Sequence, residues 1–132
     1  MNIQRLVATV VFAAAVVLTA AIAAGGLSTA ALAQSGEANF WLKGAPNNIQ
    51  GCIAFDPQFT RKHTFHLVNG AASITSPGGI NTKLTLVRPD VYQEQIQQGQ
   101  LNLTIVADLA ATPKTLKVSD SRLGCAWSGV KE

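Results

Sequence analysis

The sequence predicts an all-β fold: a small antiparallel sandwich or barrel of about 7–8 short strands, closed by one disulfide. Three observations predict it. Apolar and polar residues alternate along several stretches, most cleanly in Leu101-Asn102-Leu103-Thr104-Ile105-Val106-Ala107-Asp108. Gly, Pro and Asn interrupt these stretches about every 8–12 residues, the turn spacing of such folds. Charged residues make up 13% of the chain, against roughly 25% in soluble domains. Thr, Ser, Asn and Gln take their place, which suits pleated surfaces and turns.

The N-terminus is set apart from this pattern. A start carrying Arg5, an apolar run from Leu6 to Ala24 and the small-residue end Ala31-Leu32-Ala33 are the three parts of a secretory signal. Cleavage after Ala33 is expected to leave residues 34–132 as a single small β-domain. Ala21-Ile22-Ala23 offers a second cut, but inside the apolar run. That run is long enough to span a bilayer, so contact with a membrane is expected only if the segment stays uncleaved. An Ala/Val-rich leader of this kind points to a periplasmic or secreted protein.

Across the whole chain ten Lys and Arg oppose seven Asp and Glu, a net charge of +3, and Arg5 leaves with the signal. A balance this mild, with Arg61-Lys62 the one adjacent basic pair, argues against nucleic acid as a partner.

The elements follow in order. Asn39 to Lys43 reads as a first strand, stopped by Gly44-Ala45-Pro46-Asn47-Asn48. Ile49 to Phe55 reads as a second, with Ile49, Gly51, Ile53 and Phe55 on one face. Cys52 then falls on the other face, a conflict that a bulge at Gly51, or a strand covered on both faces, would resolve. Arg61 to Val68 alternates, with His63, Phe65 and Leu67 on one side and Lys62, Thr64 and His66 on the other. Asn69-Gly70 is a hairpin turn whose two central residues need positive φ, and Ala71 to Thr75 is the returning strand. Ser76-Pro77-Gly78-Gly79 turns the chain into a strand over Asn81–Val87. Val91 to Gln98 is the one stretch with helical spacing: Pro89 suits a first turn, Val91, Tyr92, Gln95 and Ile96 share a side, and Gly99 can stop it. One short helix near residues 90–98 is therefore expected, with a surface hairpin arm as the alternative. Leu101–Asp108, Thr115–Ser119 and Leu123–Val130 complete the strands.

Cys52 and Cys125 are the two cysteines of the chain. In an oxidising compartment they are expected to pair, and the long loop so closed would stabilise the fold by about 4 kcal/mol in the chain-entropy account. A nucleophilic thiol would need an adjacent base, and a metal site more ligands than two thiols.

His63 and His66 form H-x-x-H, but residues three apart on a strand point to opposite faces. His63 is expected to be half-buried and hydrogen-bonded and His66 to lie on the surface. Neither is assigned a metal, although they are the weak metal candidates that the chain offers. No catalytic residue is assigned, because no Gly-x-Ser-x-Gly elbow and no clustered carboxylate pair appears. Among the aromatics, Trp41, next to Phe40 on a strand, and Phe59, beyond Asp56-Pro57, are the candidates for contact with a partner, with core packing the preferred reading of each ring taken alone.

These features predict a non-catalytic exported β-domain that binds a protein or another cell-envelope component, with no cofactor. The alternative is a small-ligand carrier with an apolar barrel interior lined by Phe65, Leu67, Leu103, Ile105 and Trp127. A hydrolase or metal-binding protein built on His63, Asp56 or His66 comes third.

Overall fold

The computed structural model describes residues 35–132; the expected signal segment, residues 1–33, lies outside them. Nine antiparallel strands form one sheet in the order β1-β3-β4-β5-β6-β7-β8-β9-β2, curled into a nearly closed barrel. The strands are β1 Gly36–Trp41, β2 Lys43–Gly44, β3 Lys62–Val68, β4 Ala71–Ser76, β5 Ile80–Arg88, β6 Val91–Gln98, β7 Leu101–Asp108, β8 Thr115–Asp120 and β9 Ala126–Val130. From β3 to β9 each strand pairs with the next in sequence, so the path is a simple meander. The Asn69-Gly70 turn has φ of 50° and 80°, the positive values that a two-residue hairpin demands.

The barrel closes where the first strand meets the last. Lys43 lies opposite Ser128 and Gly44 opposite Trp127, and Phe40 bridges to Lys131. Ala45 N–H donates to the Ala126 carbonyl, and Glu132 N–H to that of Asn39. All of these belong to one antiparallel register, so β1 and β2 act as a single stave along β9. In that register Leu42 falls opposite Gly129. A Cβ on Gly129 would overlap the Trp41 carbonyl and press on Leu42; glycine here lets the two backbones approach and the seam close.

The wall parts on the far side. Ile80 to Leu84 of β5 pair with β4, whereas only Thr85 to Arg88 pair with β6, across a register shift between Leu86 and Arg88. The Glu94–Gln98 half of β6 pairs with β7 alone. Glu94 caps part of this open edge by accepting from the Gln95 N–H at 3.0 Å and the Thr85 hydroxyl at 3.4 Å, the kind of charge that guards an unpaired strand.

Two expectations are corrected. The stretch 49–55 is not a strand: α1 spans Gln50–Ile53 and α2 Asp56–Phe59. Pro57 fits the first turn of α2, where a missing N–H costs nothing. At helical spacing Asn48, Cys52, Asp56 and Phe59 lie along one side and meet residues 125–127. Asn48 exchanges two hydrogen bonds with the Ala126 backbone, Cys52 forms the disulfide to Cys125, Asp56 accepts from the Trp127 indole N–H at 2.8 Å, and Phe59 stacks on the Trp127 ring. The conflict at Cys52 disappears, and Gly51 is part of α1 rather than a bulge.

The second correction is the helix expected near 90–98, which is strand β6, paired along its whole length with β7. Pro89-Asp90 is a hairpin turn in which Asp90 takes a φ of 58°. A helix this short is weak by itself, while the strand completes an eight-residue ladder.

Candidate binding surface

The interior comes first, because it decides what the barrel can hold. Phe40, Phe65, Ile74, Leu103, Leu116 and Trp127 fill it, as expected for a barrel of about eight strands, whose bore side chains just occupy. Beside Ile74, Leu103 and Leu116 the void that remains is about 20 Å³, room for one water at most.

His63 lies in this core, 2% exposed. Its Nε2–H donates to the Phe59 carbonyl at 2.9 Å, which leaves Nδ1 to accept from the Ser76 hydroxyl at 3.2 Å. Burial depresses its pKa below the ordinary imidazole value, and the Phe59 carbonyl recovers part of the loss. Both ring nitrogens are satisfied, and no space for a substrate adjoins them. His66 points to the outer face, between Glu37 at 3.4 Å and Thr75 at 3.1 Å. The two imidazoles thus face opposite ways, and no group of three or more His, Cys, Asp or Glu that could hold a metal occurs among the described residues.

Phe59, expected as a partner contact, is 5% exposed. It is corrected to a core residue, because α2 turns its ring onto Trp127 at a centroid distance of 4.2 Å. Trp41 is different: half of its surface is exposed. It stands on the outer wall beside the seam, on a groove of about 560 Å³ that Lys43, Lys117, Ser128, Val130 and Lys131 also line.

Strand register orders these side chains. Lys43 and Lys117 are the neighbours of Ser128 on either side, so the three form one outward row, Lys-Ser-Lys. The next row along the strands is Trp41, Val130 and Thr115, from the seam register and the pairing of Thr115 with Val130. Lys131 stands where the groove meets the barrel mouth, lining both. Glu132 also borders the groove, so three cationic side chains face one anionic one. The ion pairs among the described residues, His66–Glu37 and Arg88–Asp108, use none of these lysines.

Sequence reasoning singled out Trp41 and missed its companions. Their signal was the outward phase of three short stretches, 41–43, 115–117 and 128–130, which register alone brings together. At the barrel mouth a separate recess of about 330 Å³ is lined by the core residues Phe65 and Leu67 and bordered by charges of both signs, among them Glu37, Asp90 and Lys114.

Comparison with known proteins finds no matching family model, no matching curated protein and no matching solved structure.

Proposed function

We propose that this chain is an exported, non-catalytic binding module of the cell envelope, working in the periplasm or outside the cell, whose docking surface is the outer wall at the β1/β2–β9 seam. The observation that carries the reading is Trp41: a large ring left half-exposed in a groove flanked by lysines that form no ion pair among the described residues. Indole rings in such positions are strongly enriched where partners bind. The disulfide is consistent with an oxidising compartment, and no helix among the described residues is long and apolar enough to cross a membrane. The carrier alternative comes second: it would use the barrel-mouth recess of about 330 Å³, where Phe65 and Leu67 meet charged groups of both signs, because the space beside Ile74, Leu103 and Leu116 is about 20 Å³, far below a ligand pocket.

The test is site-specific photo-cross-linking in intact cells. A photoreactive residue at position 41 is expected to give a discrete adduct, and one at Gln97, on the open-edge side of the barrel, is not. Equal labelling from both positions, or none from position 41, would overturn the reading.

A further inference from the structure

We infer that the seam groove binds a segment of an acidic polysaccharide, with Trp41 as the stacking platform and Lys43, Lys117 and Lys131 as the carboxylate-pairing groups. The inference rests on the reading of this wall as the docking surface and names its ligand class.

Charge complementarity is the first reason. Lys43 and Lys117 flank Ser128 across two strand spacings, about 10 Å, and among the described residues no carboxylate pairs with either. Two ammonium groups held apart in this way match acidic groups repeated along a chain better than one compact anion. Lys131 adds a third charge beyond the Trp41 row. The second reason is the ring. A sugar presents a face of C–H bonds to an indole and hydroxyls at its rim, and the Ser128 and Thr115 hydroxyls in the groove can exchange hydrogen bonds with that rim.

The wall is poorly suited to the rival partners. An acidic peptide that bound by strand addition would need unpaired backbone groups. Those of the seam are consumed by the β1/β2–β9 ladder, and the open edge lies across the barrel between β5 and β6. A lipid surface would need a protruding apolar face, whereas the large exposed apolar side chains in this groove are Trp41 and Val130.

The test uses the protein as its own cells process it, titrated by calorimetry with four probes: a hexamer of mannuronic acid, a neutral glucose hexamer, polyglutamate, and vesicles of phosphatidylglycerol. The uronate hexamer should bind, with a change in Trp41 fluorescence, and its affinity should fall steeply as salt shortens the screening length. Trp41→Ala, and separately the double variant Lys43→Gln/Lys117→Gln, should each weaken it by about tenfold or more. Because Lys43 and Lys117 face solvent, thermal unfolding of the double variant should match the parent, and the half-buried Trp41→Ala should remain cooperatively folded at the temperature of the titration, so lost binding would not reflect lost fold. Equal binding of the neutral hexamer, binding of polyglutamate or vesicles in place of the uronate, or uronate binding indifferent to both variants would overturn the inference. If no probe binds while position 41 still cross-links in cells, the glycan assignment falls and the binding-module reading stands. If neither occurs, both fall.

Discussion

Asp120 is a carboxylate 2% exposed, held by three backbone N–H groups. Asn102 and Arg122 donate to Oδ1 at 2.8 and 3.3 Å, and Leu123 donates to Oδ2 at 2.7 Å. Burial works against its charge, but the bonds from Leu123, Asn102 and Arg122, with the Arg122 guanidinium nearby, outweigh that and hold its pKa below the ordinary value. The stability it supplies is therefore complete above the unfolded carboxyl value of about 3.9 and is lost as pH falls through the lower native value. Asp120→Asn should cost about 1–3 kcal/mol at neutral pH, and urea midpoints at pH 7 and 3 should differ less in the variant than in the parent. His63 acts in the same direction at a higher pH. Its native pKa is depressed, so the unfolded chain takes up the proton first as pH drops below about 6.5, and stability declines from there. The midpoint of the His63 ring titration, followed by its ring resonances, should accordingly lie below the ordinary imidazole value.

At the scale of elements, alternation found the meander and misread the two places where it competed with another period. Leu101–Asp108 matches its expected strand residue for residue, because its apolar face is buried against the core and any slip would expose it. In 49–55, Ile49, Gly51, Ile53 and Phe55 mimic a strand face. The decisive spacing, Asn48, Cys52, Asp56 and Phe59, mixes two polar and two apolar residues, so it shows no hydrophobic period. Their common property is contact with β9, which only the folded chain reveals. Val91 to Gln98 failed in the opposite sense: a weak local helical pattern lost to a hairpin ladder. Of the candidate site, Trp41 was legible as half of an aromatic pair with only one inward position, whereas the lysines needed a register no local pattern carries. Two variants test these elements. Asp56→Ala strands the Trp127 indole N–H and should cost about 1–3 kcal/mol in chemical unfolding. Gly129→Ala pushes a methyl group against the Trp41 carbonyl and should cost about 1–3 kcal/mol, with faster amide exchange concentrated in 39–45 and 126–132.

Taken together, residues 35–132 are a meander whose two ends are fastened together twice, once by the seam ladder and once by the helical clamp on residues 125–127. The disulfide spans 73 residues, so Cys52→Ala/Cys125→Ala should lower stability by up to about 4 kcal/mol on the chain-entropy account. The remaining contacts of Asn48, Asp56 and Phe59 should still direct the same fold, which far- and near-ultraviolet circular dichroism can check. The same closure builds the docking wall, since Trp41 and Val130 come side by side only where the first stave meets the last. The most direct measurement of that wall's occupancy is oxidative footprinting of the two tryptophans, in the isolated protein and in intact cells. Trp127, 1% exposed, should resist oxidation in both settings and serve as the internal reference. Trp41 should react readily in the isolated protein and be protected in cells, where its partner is present; an equal Trp41 rate in the two settings would contradict the account.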